Sequence, residues 1–233
     1  MSTPDLSNWQ PRAVPQRQPL AGRFARLEPL DPLVHGDDLW QALQGPDSDP
    51  LLWDYLPYGP FAERAGFAAW LAANAAGADP QFFAVLDLAS QRAVGLLSFL
   101  RVTPRDGCIE IGHIAFGRAM QRSPASTEAV YLLAELAMSR LGYRRLEWKC
   151  NARNARSMRA AERLGFVYEG TFRQHMVVKG HNRDSAWFSI IDGEWPRCRA
   201  AFERWLARDN FDADGRQKQR LEELRQRVAP DTP

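Results

Sequence analysis

The sequence predicts a mixed α/β (α+β) domain, a mostly antiparallel twisted sheet with one parallel strand pair at its centre and helices on its flanks. Two observations carry this reading. Between 109 and 150 a helical run separates two strand-like runs, and such a unit implies parallel strands joined by a right-handed crossover. The strand-like runs before it are joined by short turns instead, which suits antiparallel neighbours. The 233 residues contain no Gly/Ser-rich or Pro-rich linker in their middle, so one domain with terminal additions is expected. The divisions are an irregular arm over 1–20, the domain over 21–195 and a helical extension over 196–233.

Each element has its own signal. After the proline-rich arm, 22–27 reads as a first strand and 32–44 as a short helix ending at the turn residues GPDSDP. The segment LLWDYLPYGPF crowds Trp53, Tyr55, Tyr58 and Phe61 between prolines and a glycine. Such rings either line a pocket or plug into the core. An alanine-rich helix over 62–76 stops at Gly77, and 81–88 and 93–101 are two strands around a turn at Ser90. A turn over 103–107 leads into the central strand beginning at Cys108.

The helix that follows is defined residue by residue. Ser123 is a good N-cap, Pro124 is tolerated at the first position, and Ala125, Ser126 and Thr127 leave their amides unobstructed. Val130, Leu133, Ala137 and Leu141 recur at helical spacing up to the stop at Gly142. Unpaired amides and the positive end of a helix dipole suit a phosphate, and Gln121 and Arg122 enter the loop just ahead of them. An ordinary capped helix after a strand is the competing reading.

Beyond it, YRRLEWKC sets Leu146, Trp148 and Cys150 against Arg145, Glu147 and Lys149, the alternation of a strand buried on one face. In NARNARSMRAAERLGFVYEG, Asn154 is an N-cap, Met158, Ala161 and Leu164 share a helix face, Gly165 is the stop, and Ser157 falls in the first turn. Strands over 166–179 and 183–192 flank a hairpin turn at KGHNRD, a helix runs from Pro196 to about 208, and a charged helix from about 215 to 228 closes the chain. For that tail a homodimer contact, a flap over a cleft and packing onto its own domain all stay open.

The order Glu110-Ile111-Gly112, then Gln121 through Thr127-Glu128-Ala129, resembles the acetyl-CoA-binding segment of the GNAT N-acetyltransferases, in particular the RimJ/RimL-like branch. The family loop, Q/R-x-x-G-x-G/A, lies over Gln121, Pro124 and Ser126, with Pro124 where glycine is usual. The Asn154 to Gly170 stretch resembles that branch's N-x-x-S helix and LGF turn. The resemblance implies that the central parallel strands splay apart to admit the pantetheine arm, and that the cofactor is acetyl-CoA. It further implies that Ile114, Ala115, Phe116, Gln121, Arg122, Ser123, Ala125, Ser126, Thr127, Asn154 and Ser157 bind it. The equivalent of the aromatic loop lies beside the acceptor, so Trp53, Tyr55, Tyr58 and Phe61, with His175, are the acceptor-side candidates.

The expected chemistry is transfer of an acetyl group to an amine by direct attack in a ternary complex. Glu110 and His113 are the candidates for taking a proton, and their opposite parity lets only one of them face the cleft in a regular strand. Ser157, in the positive field of a helix start, is the candidate proton donor to the departing thiolate, with a backbone amide near Ile114 or Ala115 for the oxyanion. An α-amine of pKa ~8 makes a smaller demand on a base than a lysine at ~10.4, which favours a protein N-terminus or a small low-pKa amine.

Composition limits the alternatives. A formal charge of +2 argues against a dedicated nucleic-acid surface. Cys108, Cys150 and Cys198 form no C-x-x-C pair, which suits reduced thiols in the cytoplasm and no metal site. No run approaches the ~20 apolar residues of a membrane span. No G-x-x-x-x-G-K-S/T is present, which excludes a P-loop. A CoA-binding regulatory module without turnover and a protein-binding adaptor remain as non-enzymatic readings.

Overall fold

The computed structural model describes residues 5–228. Its eight strands form one sheet in the order β1-β2-β3-β4-β5-β6-β8-β7. They are β1 (Leu20–Ala21), β2 (Ala25–Pro29), β3 (Gln81–Asp87), β4 (Arg92–Thr103), β5 (Cys108–Phe116), β6 (Arg145–Asn151), β7 (Val167–Val178) and β8 (His181–Ile191). Only β5 and β6 run parallel, with α3 (Pro124–Ala134) in the crossover. This is the mixed fold expected, with one correction at its start. The single strand read over 22–27 is a hairpin, β1 and β2, folded around Gly22.

Two apolar layers sandwich the sheet. On one face α1 (Pro32–Gln44) and α2 (Arg64–Ala76) enclose Leu39, Leu43, Phe67 and Leu71 with Phe82, Ala84 and Leu96 of the strands. On the other, α3, α4 (Ala155–Leu164), α5 (Trp195–Trp205) and α6 (Leu221–Arg227) cover Phe83, Leu97, Ile109, Ile111, Leu146, Phe188 and Ile190. Local chemistry sets the helix ends. The Asp31 side chain accepts from the Leu33 amide at 2.9 Å and Asn154 from the Ser157 amide at 3.1 Å. Gly165, with φ +106, ends α4 while the Phe166 amide returns to the Ala161 carbonyl at 3.0 Å.

Several boundaries move. The central helix becomes a π-helix over Glu135–Arg140, where the Leu141 amide reaches five residues back to the Leu136 carbonyl at 3.0 Å. The helix expected from about 215 starts only at Leu221, because the chain from 211 to 217 turns back on itself through a bridge between Phe211 and Gln217. Leu221 and Leu224 then bury themselves in the core of α3, α5 and the sheet, so the tail packs onto its own domain. Among the described residues ahead of β1 there is no helix or strand, yet Trp9 donates to the Arg105 carbonyl at 2.7 Å and sits under Arg12, 4.2 Å from its ring.

Candidate active site

Pairing between β5 and β6 stops after Glu110↔Glu147, although β5 continues to Phe116 and β6 to Asn151. The two strands therefore part, and a cleft of about 210 Å³ opens at the split. Its lining includes Tyr55, Leu56, Arg101, Glu110, His113, Ile114, Trp148, Lys149, Cys150, Asn154, Ser157, Met176 and Arg183.

Bulges aim the charged side chains at it. From Gly112 to Ala115 three steps on β5 oppose two on β4, from Ser98 to Leu96, and His113 takes φ +51 at the extra residue. Before the bulge, Ile109 and Ile111 point into the α3 core; after it, Ala115, of the same parity, points into the α1/α2 core. His113 thus joins Glu110 on the cleft face. The expectation that only one of the two could do so fails because the strand is not regular. A matching bulge at Arg101, φ +46, between Leu100 and Thr103 of β4 brings that guanidinium onto Glu110.

Neither proton-acceptor candidate is a free base. Glu110 is 2 % exposed and ion-paired with Arg101. His113 contacts Phe82 and Tyr58, and its Nδ1 lies 2.9 Å from the Tyr58 hydroxyl. Burial first, then the charges of Arg101, Lys149 and Arg183, lowers its pKa from 6.5 to about 4, so the ring is neutral at neutral pH. Tyr58, buried beside it, is held well above the usual phenol range by desolvation.

Sequence reasoning missed Lys149 as a cleft residue. Desolvation and the charges of Arg101 and Arg183 pull its ammonium down to about 8. The only signal for it in the sequence was its place on the polar face of a strand whose apolar face carries Trp148 and Cys150. Arg101 was missed because a strand bulge decides where it points, and Arg183 because only the sheet order brings its face of β8 to the cleft.

On the other side of the split stands Ser157. The Trp148 indole donates to its Oγ at 3.0 Å, so the oxygen is the acceptor on that side and the hydroxyl proton points away from Trp148. Burial raises the neighbouring Cys150 thiol, partly offset by a hydrogen bond with Ser157.

The aromatic loop divides. Tyr55 lines the cleft, its hydroxyl donating to the Arg153 carbonyl at 3.2 Å. Trp53 does not line it. The ring is 3 % exposed, packs on Phe61 and donates to the Leu43 carbonyl at 3.1 Å. Phe61 stacks edge-on against Phe67 in the same α1/α2 core. Three rings of this loop, Trp53, Tyr58 and Phe61, thus pack in or against the α1/α2 core, and none of them lines the cleft. His175 also lies outside the cleft, its Nδ1 2.9 Å from the Ser185 hydroxyl in a shallow depression with Phe172, Asn182 and Asp184.

At the N-terminus of α3, Arg122 is exposed with φ +60. The Ser126 amide reaches its own cap, Ser123 Oγ, at a long 3.4 Å. Gln121 donates to the Phe116 carbonyl at 3.1 Å, and the Thr127 hydroxyl accepts from Arg163 at 3.0 Å. The side chains of Gln121 and Thr127 are therefore engaged by the protein itself, and what these positions offer a ligand is backbone. Ala125 is buried under the turn, and Phe116 packs against the α3-side core.

Residues 26–167 match the model of the acetyltransferase (GNAT) domain. The chain belongs to the GNAT acetyltransferase family. A GCN5-related N-acetyltransferase from Brucella melitensis is 47% identical, with a TM-score of 0.91 over 95% of this chain and all of that one. A probable GNAT-family acetyltransferase from Chromobacterium violaceum is 43% identical, with a TM-score of 0.77 over 84% of this chain and 97% of that one. An uncharacterised N-acetyltransferase, p20, from Bacillus licheniformis is 26% identical over 113 residues, 48% of this chain and 63% of that protein's length. The split β5/β6 pair of this GNAT chain agrees with what the sequence resemblance implied. Among the described residues no helix is long and apolar enough to cross a membrane.

Proposed function

We propose that this chain is an acetyl-CoA-dependent N-acetyltransferase of the RimJ/RimL-like branch. Its acceptor would be a primary amine, either a protein N-terminal α-amine or a small molecule, and its place of action the cytoplasm. The observation that carries the reading is the cleft at the β5/β6 split, lined by charged groups on one side and Ser157 on the other.

Residues here fit a thioester carrying a diphosphate. The β5 edge beyond Glu110 has no β6 strand against it, so backbone groups around Ile114 to Phe116 are available to an extended arm. The amides of Ala125, Ser126 and Thr127 with Arg122 and Ser123 would hold the diphosphate, and Asn154 with Ser157 the far end. Pro124 supplies no amide, and exposed Arg122 is the natural compensation. When bound, acetyl-CoA would supply the activated acyl group.

The remaining work falls to the chain. The attacking amine must be neutral. With Glu110 held by Arg101 and His113 titrating near 4, strong proton abstraction is not on offer, which favours an amine of pKa ~8 over a lysine. A neutral His113, positioned by Tyr58, can pass a proton through water if its Nδ1–H donates to the phenol oxygen and leaves Nε2 a lone pair. Ser157 would turn its hydroxyl proton from Cys150 toward the departing sulfur. Calorimetry with coenzyme A and thiol release with a panel of amines test the proposal; no heat and no release would sink it. Ser157→Ala is expected to lower kcat by about a hundredfold with little change in acetyl-CoA affinity. An unchanged kcat removes Ser157 from the mechanism.

Pro124 and the sequestered Glu110 favour one second reading, a CoA-binding regulatory module without turnover. Coenzyme binding with no thiol release from any amine would select it.

A further inference from the structure

We propose that the acceptor of this cleft is an amine carrying a carboxylate, and that Arg183, assisted by Lys149, receives the carboxylate. The proposal rests on the acetyltransferase reading and names the substrate class of the same site.

Arg183 lies on β8 opposite Met176 of β7 and lines the cleft. It is 8 % exposed, and its Nε is buried with no hydrogen-bond partner. Among the described residues it forms no ion pair. A guanidinium taken out of water without a counter-charge is costly, and proteins rarely leave one so unless a ligand completes it. The carboxylate lining the same cleft and its neighbour on β6 are both engaged. Glu110 pairs with Arg101, and Glu147 takes Arg145 Nε at 2.7 Å.

Lys149 is the second unclaimed cation. It also lines the cleft, forms no ion pair among the described residues, and lies 5.0 Å from the Trp187 ring centre. The indole nitrogen of Trp187 is likewise buried without an acceptor. All three side chains stand on one face of the sheet, because Lys149 is paired with Trp187, and Arg183 is four residues from Trp187 along β8. Ser157 and Asn154 belong to α4 on the opposite face. Positive charge therefore gathers on the side away from Ser157, where an acceptor rather than the departing thiol would sit. A planar carboxylate matches the guanidinium fork. After one carboxylate has bound, one positive charge of the pair remains, and it disfavours the ammonium form of the amine to be acetylated.

The carboxylate could be that of a free amino acid-like molecule or the side chain of an acidic residue at a peptide N-terminus. Two matched pairs separate these sources: alanine against alaninamide, and a C-terminally amidated tetrapeptide beginning with Glu against one beginning with Gln. With saturating acetyl-CoA, the charged member of at least one pair is expected to show a kcat/KM about tenfold higher or more. The pair showing it identifies the source. Arg183→Gln should abolish the preference through KM. Equal rates within both pairs, or an Arg183→Gln loss of kcat equal for both members, would overturn the proposal. Thermal shift gives a readout independent of turnover: the charged acceptors should raise Tm in the parent protein and not in Arg183→Gln, or in Lys149→Gln should the first variant not fold. A carboxylate-dependent shift without thiol release would sustain the carboxylate site at Arg183 and defeat the acetyltransferase reading; turnover with neither preference nor shift would do the reverse.

Discussion

His113 shows at the scale of one residue how burial sets chemistry. Its lowered pKa is a stability statement as well as a catalytic one. The unfolded imidazole titrates near 6.5 and the folded one near 4, so between these values the unfolded chain binds more protons. The contribution is complete above about pH 6.5 and is lost as pH falls toward 4. After a discount for partial exposure it amounts to about 1–3 kcal/mol. Urea unfolding at pH 7 and pH 5 should show a smaller drop in His113→Gln than in the parent protein; an equal drop would mean that the folded ring titrates normally.

Among elements, the decisive joints are places where backbone and side chain meet across the fold. Glu128 of α3 is 4 % exposed and accepts the amides of Arg23, Phe24 and Ala25 at 2.8, 2.6 and 2.8 Å. It closes the β1–β2 turn onto the helix that follows the cleft, and Gly22 leaves room for it, since a Cβ there would lie 2.4 Å from the carboxyl. Glu128→Ala strands these buried donors and is expected to cost on the order of 3 kcal/mol or more in urea denaturation. A change below about 0.5 kcal/mol, the range of an ordinary surface substitution, would show that water takes over the amides without penalty. The β5 bulge is a joint of the same kind, because one extra residue swaps every later side chain to the other face.

Taken whole, the molecule has a sheet with two unlike faces. The α1/α2 face carries Glu110, His113, Lys149 and Arg183 of the cleft, and the other carries the large core that α5 and α6 complete. Leu221 is fully buried in that core, so Leu221→Ala should cost about 2–5 kcal/mol despite lying far along the tail. One cooperative urea transition is expected, with the tail unfolding together with the sheet. A separate early transition for residues 196–228 would contradict it.

Patterns confined to one element were legible in the sequence: the caps Ser123 and Asn154, the stops Gly142 and Gly165, the alternation of β6, and the crossover that makes β5 and β6 parallel. The caps, stops and alternation follow from contacts a few residues apart, and the crossover from the order of strand, helix and strand. The tertiary structure alone decided that Glu110 and His113 share a face, that Glu110 is spent on Arg101, that Trp53 belongs to the core, and that Lys149 and Arg183 meet at the cleft. Strand bulges, the order of strands in the sheet and packing between segments distant in sequence control those outcomes. A bulge depends on what the neighbouring strand presents, and a pairing depends on which carboxylate arrives first in space; periodicity along one chain carries neither.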